Sequence, residues 1–320
     1  MTLRQKIYLV VVLTFFALTM VMSFSSYMIL IKGFENIERE DARSRLYGAL
    51  SLLDQELASM DAMAREYASW DDMYEFVATR GGSFISSNYS AAGFINMKIN
   101  FLIITDLEGK LVHGRGFDQE SGKTLPIFKS VLEQRNLIYK HVLSGDEIEP
   151  LSGIIWLPEG LTLVIARPIL KTAGKGTPRG LYIIGRFLDA GEAERLGAPL
   201  KTEISFYHEG QKGLPADIVS VRKALSPQNR ELIKAIDGQT IAAYASMKDA
   251  FGKHSLIMKT KDKRVIFMQG MKTVVYVIVF LLLAALVFAA VMVALLDKSV
   301  LRRMLHISHD IRAIEADGDM

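Results

Sequence analysis

Residues 46–77 read LYGALSLLDQELASMDAMAREYASWDDMYEFV, and their spacing decides the fold class. Leu46, Leu50, Leu53, Leu57 and Met60 step by 4, 3, 4 and 3, and Met63, Tyr67, Trp70, Tyr74 and Val77 repeat those steps. Such spacing draws one apolar stripe along a long helix. The predicted stop is Thr79-Arg80-Gly81-Gly82, where a glycine can take the left-handed cap. After Gly82 the period changes. INFLIIT (99–105) reads as a buried strand, 106–110 as a turn and 111–113 as the return strand. Residues 124–144 look helical around Phe128, Val131, Leu132 and Leu137. Strand candidates follow at 153–157, 161–169 and 180–188. A further set adds a strand at 203–207, a helix at 227–236 and a hairpin of 240–245 with 255–258. From Lys261 the pattern turns helical again. A long helix followed by antiparallel strands is an α+β order.

Two apolar runs frame this body. Residues 7–31 carry no charge in 25 positions and residues 273–296 none in 24. About 20 apolar residues suffice to cross the hydrocarbon core. Arg4 and Lys6 give the first run a basic leader, but the run is longer than the ~7–15 residues of a signal-peptide core. It therefore reads as an uncleaved anchor. Arg4 and Lys6 before the first run, and Lys298, Arg302 and Arg303 after the second, put both termini in the cytoplasm. Lys259, Lys261, Lys263, Arg264 and Lys272 mildly oppose this, although long translocated domains cross largely regardless of charge. The expected organisation is a cytoplasmic start at 1–6, spans at 7–31 and 273–296, an outer region at 32–272 and an inner tail at 297–320.

The composition agrees. Half of the 320 residues are apolar and mean hydropathy is +0.22, which excludes a disordered chain. The absence of cysteine excludes a disulfide scaffold, a cysteine zinc site and an iron–sulfur cluster. A net charge of +3 is too small for a nucleic-acid footprint.

YASWDDMYEFV (67–77) resembles the signature helix of the CHASE family, fourth class, extracellular sensory domains associated with cyclases and histidine kinases. Asn88, INFLIITDLEGKLVHG (99–114), LVIARPIL (163–170) and GKGTPRGLYIIGRFLD (174–189) agree with that pattern in order. The resemblance covers residues 45–190, leaving 200–260 as a membrane-proximal β part with a looser match through 255–270. It implies a long helix packed on a PAS- or Cache-like antiparallel sheet. It also implies a receptor in the inner membrane of a bacterium, or in an archaeal membrane, that senses something outside; the expected partner there is an unidentified small-molecule ligand, which the resemblance itself does not supply.

Beyond the second run, Val300, Met304, Ile307, Ile311 and Ile314 step by 4, 3, 4 and 3. With 316–319 (ADGD), this seam resembles the first helix of a HAMP linker. A lone helix would expose its seam to water, so a homodimer is expected, and the chain reads as the front part of a longer receptor. The expected output is cyclic-di-GMP synthesis or breakdown. The alternative is a histidine kinase, with a chemoreceptor or a membrane-anchored enzyme behind it. Ser308-His309-Asp310-Ile311-Arg312 looks like a phosphoacceptor box, but Ala313-Ile314 stands where Thr-Pro normally follows, so His309 reads as a relay-helix surface residue. No catalytic or metal motif occurs, the glycine-rich 172–178 lacks P-loop spacing, and no cofactor is expected.

The candidate ligand residues are Trp70, Asp71, Tyr74, Asn88, Arg167, Tyr182 and Arg186. Tyr182, Ile184, Arg186 and Leu188 share one strand face, and Leu163, Ile165, Arg167 and Ile169 another. An arginine among apolar neighbours needs a partner. Either Arg186 or Arg167 clamps a carboxylate or phosphate beside Trp70 and Tyr74, or Arg186 pairs with Asp71 and locks helix to sheet. Asn88 reads as a turn or cap residue.

Overall fold

A computed structural model describes residues 3–143, 148–172, 176–226, 228–296 and 298. The chain forms two compact units, one of residues 41–263 and one of residues 1–40 with 264–320. The expected relay seam of 300–314, with His306 and His309, lies outside the described residues.

In chain order the elements are α1 (Leu3–Ala68), α2 (Asp71–Thr79), α3 (Gly82–Asn88), α4 (Ala91–Met97), β1 (Phe101–Asp106), β2 (Leu111–Asp118) and β3 (Lys123–Leu125). There follow α5 (Lys129–Leu143), β4 (Leu151–Leu157), β5 (Gly160–Pro168), β6 (Gly180–Phe187), α6 (Ala190–Gly197) and β7 (Glu203–His208). The last are α7 (Ala216–Ala224), β8 (Glu231–Ala235), β9 (Thr240–Lys248), β10 (His254–Lys263) and α8 (Val265–Leu296).

Within residues 41–263 a first, fully antiparallel sheet has the order β3-β2-β1-β6-β5-β4. Alternation along its strands sorts the side chains into two cores. Leu102, Ile104, Leu163, Ile165, Tyr182 and Ile184 face α1, whose Leu46, Ala49, Leu53, Met60 and Ala64 are buried in the same core. Phe101, Ile103, Val164, Ala166, Leu181 and Ile183 face α5 through Val131, Ile138 and Val142. A second antiparallel sheet, β7-β10-β9-β8, carries α7 on one face. Its other face joins the α1 core through Ile241, Ala243, Leu256 and Met258.

Three elements differ from the sequence expectation. The single helix expected to run to Thr79 ends at Ala68, and Trp70 takes an extended conformation ahead of α2. The break has partners waiting: Leu170 N–H donates to Ala68 O at 3.0 Å and Thr172 N–H to Asp71 Oδ1 at 3.0 Å. Asp71 and Asp72 then sit in a new first turn, where the helix dipole favours them. The helix expected at 227–236 is instead strand β8, paired with β9 along Glu231–Ala235. Tertiary pairing overrode the local period of Leu232, Ile233 and Ile236. The helical pattern expected from Lys261 begins only at Val265, because β10 runs on to Lys263.

In the other unit, α1 and α8 each carry a stretch long and apolar enough to cross a membrane. Phe15 and Phe288 meet with ring centroids 4.8 Å apart. At the start of α8, Arg264 Nε donates to Glu38 Oε2 at 2.8 Å and Phe267 N–H to Glu38 Oε1 at 3.3 Å. The Arg264 guanidinium also stacks 3.9 Å over the Phe267 ring. Both members of this ion pair are buried, Glu38 to 3% and Arg264 to 8% exposure.

Candidate functional site

The register of the first sheet lays polar groups in rows on its α1-facing side. Ile104 of β1 pairs with His113 on one side and Tyr182 on the other, and Tyr182 pairs with Arg167. The next row places Arg115 beside Leu102, followed by Ile184 and Ile165. Neighbouring strands lie ~4.8 Å apart, so each row spans roughly 15 Å of one face.

Both arginines singled out in the sequence are occupied by carboxylates of α1. Arg167 forks onto Asp61, with Nε to Oδ1 at 2.7 Å and Nη2 onto Oδ2. Arg186 Nη1 donates to Glu56 at 2.7 Å and to Glu192 of α6 at 3.2 Å, while its Nε donates to Lys98 O at 2.6 Å. Arg195 bridges the same two glutamates at 2.7 and 2.8 Å. Burial alone would push the carboxyls of Glu56, Asp61 and Glu192 upward. Hydrogen bonds from Arg195 and Arg186, or Arg167 and Arg65 for Asp61, outweigh it and hold all three below the ordinary range.

Beside these locks stands an aromatic cluster. Tyr67, in the last turn of α1, meets Trp70 at 4.5 Å, Tyr89 at 5.9 Å and Tyr182 at 6.2 Å, nearly parallel to the last. Tyr89 and Tyr182 are fully buried, and Tyr67 and Trp70 are half-buried at the rim. The Tyr89 and Tyr182 hydroxyls face one another closely enough to couple their ionisation, yet among the described residues neither makes a hydrogen bond of normal geometry. Burial raises both phenols, so they stay neutral. His113 Nε2 on the same sheet face is likewise buried and, among the described residues, without a partner, and burial, then the charge of Arg115, holds its imidazole below the usual histidine value.

Residues 52–207 match the CHASE4 domain model. The match takes in just under half of the chain. The chain is 24% identical over 316 residues to "Methanogenesis regulatory histidine kinase FilI" of Methanothrix harundinacea, an alignment covering 98% of this chain. It spans 34% of that relative's length. Among solved structures, the extracellular domain assigned to histidine kinase vpHK1S-Z8 shares the fold at TM-score 0.50 and 13% identity, covering 74% of this chain and 95% of that one. A domain from Vibrio parahaemolyticus assigned to the sensory box/GGDEF family also gives 0.50 at 13% identity, covering 73% and 99%. With two apolar helices, the chain has the make-up of a membrane receptor whose segment between them matches the CHASE4 model.

The seven expected ligand residues separate within the matched region. Trp70 and Tyr182 belong to the aromatic cluster. Tyr74 lies beside it under Arg179, whose guanidinium stacks 3.9 Å over the ring. Asp71 is exposed and fixes the Thr172 backbone, so the Asp71–Arg186 pair does not form. Arg167 and Arg186 serve the α1 locks. Asn88 ends α3, with Nδ2 donating to Phe84 O at 2.9 Å, beside an open cleft of about 360 Å³ lined by Asp72, Glu75 and Ser83. Tyr89, His113 and Arg115 escaped sequence reasoning. Tyr89 sits between two helices too short to show a period, and the odd-numbered run His113, Arg115, Phe117 on β2 was the available signal for the other two.

The lowered carboxyls and histidines predict acid lability. His113 and His208 are both held below the usual histidine value, chiefly by burial. Below about pH 6.5 the unfolded chain therefore takes up protons that the folded one refuses, and stability begins to fall. Glu56, Asp61 and Glu192 contribute fully above about pH 4.5, and their contribution disappears as pH drops through their lowered folded values. Asp262, whose carboxyl is raised by burial, works weakly the other way. Thermal melts from pH 7.5 to 3 should show a shallow fall, then a steep one. Glu56→Gln should soften the steep part, and a melt unchanged down to pH 4 would contradict the assignment.

Proposed function

We propose that this chain is the sensing part of a receptor whose residues 32–272 lie outside the membrane with both termini inside, and whose ligand enters the aromatic cluster of the CHASE4 domain. The carrying observation is the pair of buried tyrosine hydroxyls, Tyr89 and Tyr182, which face each other without a well-formed hydrogen bond among the described residues. A fully unsatisfied buried hydroxyl costs about 1–3 kcal/mol, and a ligand bridging this poorly paired couple would recover part of that. Tyr67 makes the cluster part of α1, the same helix that carries Glu56, Asp61 and the first apolar run. Ligand binding biases two arrangements of α1 against the sheet, with the Asp61–Arg167 and Glu56–Arg186 pairs as the contacts that shift. The receptor works as a homodimer. Its output is a histidine kinase, favoured over the cyclic-di-GMP turnover expected from the sequence because the aligned relative bears that name.

The test is a thermal-shift and tryptophan-fluorescence screen of metabolites on the chain in nanodiscs. A ligand that raises the melting temperature and changes Trp70 emission in the wild type, and does neither in Tyr182→Phe, supports the site. A ligand acting equally on Tyr182→Phe places binding elsewhere. In the full receptor, phosphate incorporation from ATP supports the kinase output, and cyclic-di-GMP formation overturns it.

A further inference from the structure

Strand β4 lies at the edge of the first sheet, and the second sheet holds that edge from both faces. In the turn between β9 and β10, Ala250 N–H donates to Ile154 O of β4 at 2.8 Å. Gly153 shares the α5-facing side of β4 with Ile155 and Leu157. A methyl group on it would lie 2.8 Å from Ala250 Cα and 2.9 Å from Ala250 Cβ, so glycine is what admits the turn. Phe251 follows Ala250 into the α5 core and meets the His141 ring edge-on at 5.8 Å. On the opposite side of β4, Trp156 stacks on His208 at the end of β7, with rings 5.1 Å apart and 4° from parallel. The turn itself is braced. Asp249 Oδ1 accepts from the Phe251 and Lys253 amides at 3.0 and 2.9 Å, and its Oδ2 accepts from Ser255 Oγ at 3.0 Å.

A strand held on both faces and by its backbone cannot shift without taking its holder along. The holder is stiff lengthwise, because β10 is laddered to β7 on one side and β9 on the other. Its ten residues span about 33 Å, from the turn to Lys263. Two residues further on, Val265 opens α8. Between those ends Ala243 and Met258 pack in the α1 core, which gives the sheet a pivot. We propose that the second sheet is a lever that carries movement of β4 to the start of α8, a second route beside the one through α1 itself. Packed interfaces of this kind switch between discrete arrangements rather than deform continuously. The lever's part in signalling rests on the receptor reading above. Its mechanics rest on the contacts alone.

The chain has no cysteine, so paired spin labels report without background. Labels on Leu137→Cys, exposed on α5, and Lys263→Cys, exposed at the end of β10, read the far end of the lever in nanodiscs. Gly153→Val wedges the turn off β4, Phe251→Ser loosens it from its own side, and exposed Ser152→Val is the control. Both test variants should speed exchange of the Ala250 amide by about 10-fold, the scale of one backbone hydrogen bond. Both should also shift or broaden the 137–263 distance distribution, and the control should do neither. An Ala250 amide freed with the distance unchanged overturns the lever. An amide still protected in both variants overturns the hold on β4. If Gly153→Val does not fold, Phe251→Ser decides by the same two readings. In the full receptor both variants should change the basal output, and an unchanged output overturns the signalling role. None of these readings uses a ligand. Failure of the lever therefore leaves the aromatic-cluster site to its own screen, and failure of that screen leaves the lever standing.

Discussion

Arg264→Ala is expected to destabilise the chain by about 3–5 kcal/mol, the scale for stripping one partner from a buried ion pair. The reason is what remains. Glu38, 3% exposed, loses the Arg264 guanidinium, and of its bonds among the described residues the 3.3 Å one from Phe267 N–H remains. The stacking of Arg264 on Phe267 disappears as well. Glu38→Ala should cost a similar amount by the reverse logic, since a guanidinium at 8% exposure is then unpaired. The double variant Glu38→Met/Arg264→Met removes both charges and should regain most of the loss. Melting of the chain in nanodiscs reads the cycle. If both single variants melt within about 1 °C of the wild type, the pair is dispensable. Its location beside the second apolar run gives the result functional weight. In the receptor proposed above, a clasp at the first turn of α8 would lie on the route of the signal, so variants that loosen it should also change the basal output of the full-length protein.

Sheet and helix content was legible where one period ran long enough. The two apolar runs, the buried INFLIIT strand and the antiparallel strands around 151–187 are all readable from spacing alone, because burial on one or both faces imposes it. The helix break at Ser69-Trp70 was not. The apolar stripe continues across it, and what stops the helix is a hydrogen bond from Leu170, a hundred residues away in sequence. The α1 seam was also read too simply. The leucine stripe is real, but Ala49, Ala64 and Ala68 are among its most buried positions, and alanine at close approach carries little hydropathic signal. The site showed the same division. That Arg167 and Arg186 need partners followed from their apolar strand neighbours. Which carboxylates answer, Asp61 and Glu56, depends on how α1 is rotated over the sheet, and its helical spacing does not encode that rotation.

Gly180→Ala should be the most disruptive conservative change in the first sheet. Gly180 opens β6 and pairs with Asp106 of β1, and its carbonyl accepts the Ile169 N–H at 2.8 Å. A methyl group there would lie 1.8 Å from the Thr105 carbonyl oxygen and 2.9 Å from its carbon. Those are backbone atoms of a fully buried strand, so no rotamer change relieves the overlap. Either β1 and β6 separate or the ladder shifts, and both sacrifice paired backbone groups in the layer beneath Tyr182. Overpacking a core ordinarily costs about 1–3 kcal/mol, and a clash with backbone belongs at or above the top of that range. For a body of this size that corresponds to a fall in melting temperature of roughly 6–12 °C. Gly185→Ala meets the Phe101 ring at 2.1 Å, but a side chain can yield where a carbonyl cannot, so its loss should be smaller. Gly82→Ala, with nothing within 4 Å at the start of α3, is the control and should be neutral or slightly stabilising. If Gly180→Ala melts with the control, the close approach of β6 to β1 is wrong. The row that places Tyr182 beside Ile104 and His113 is then wrong with it.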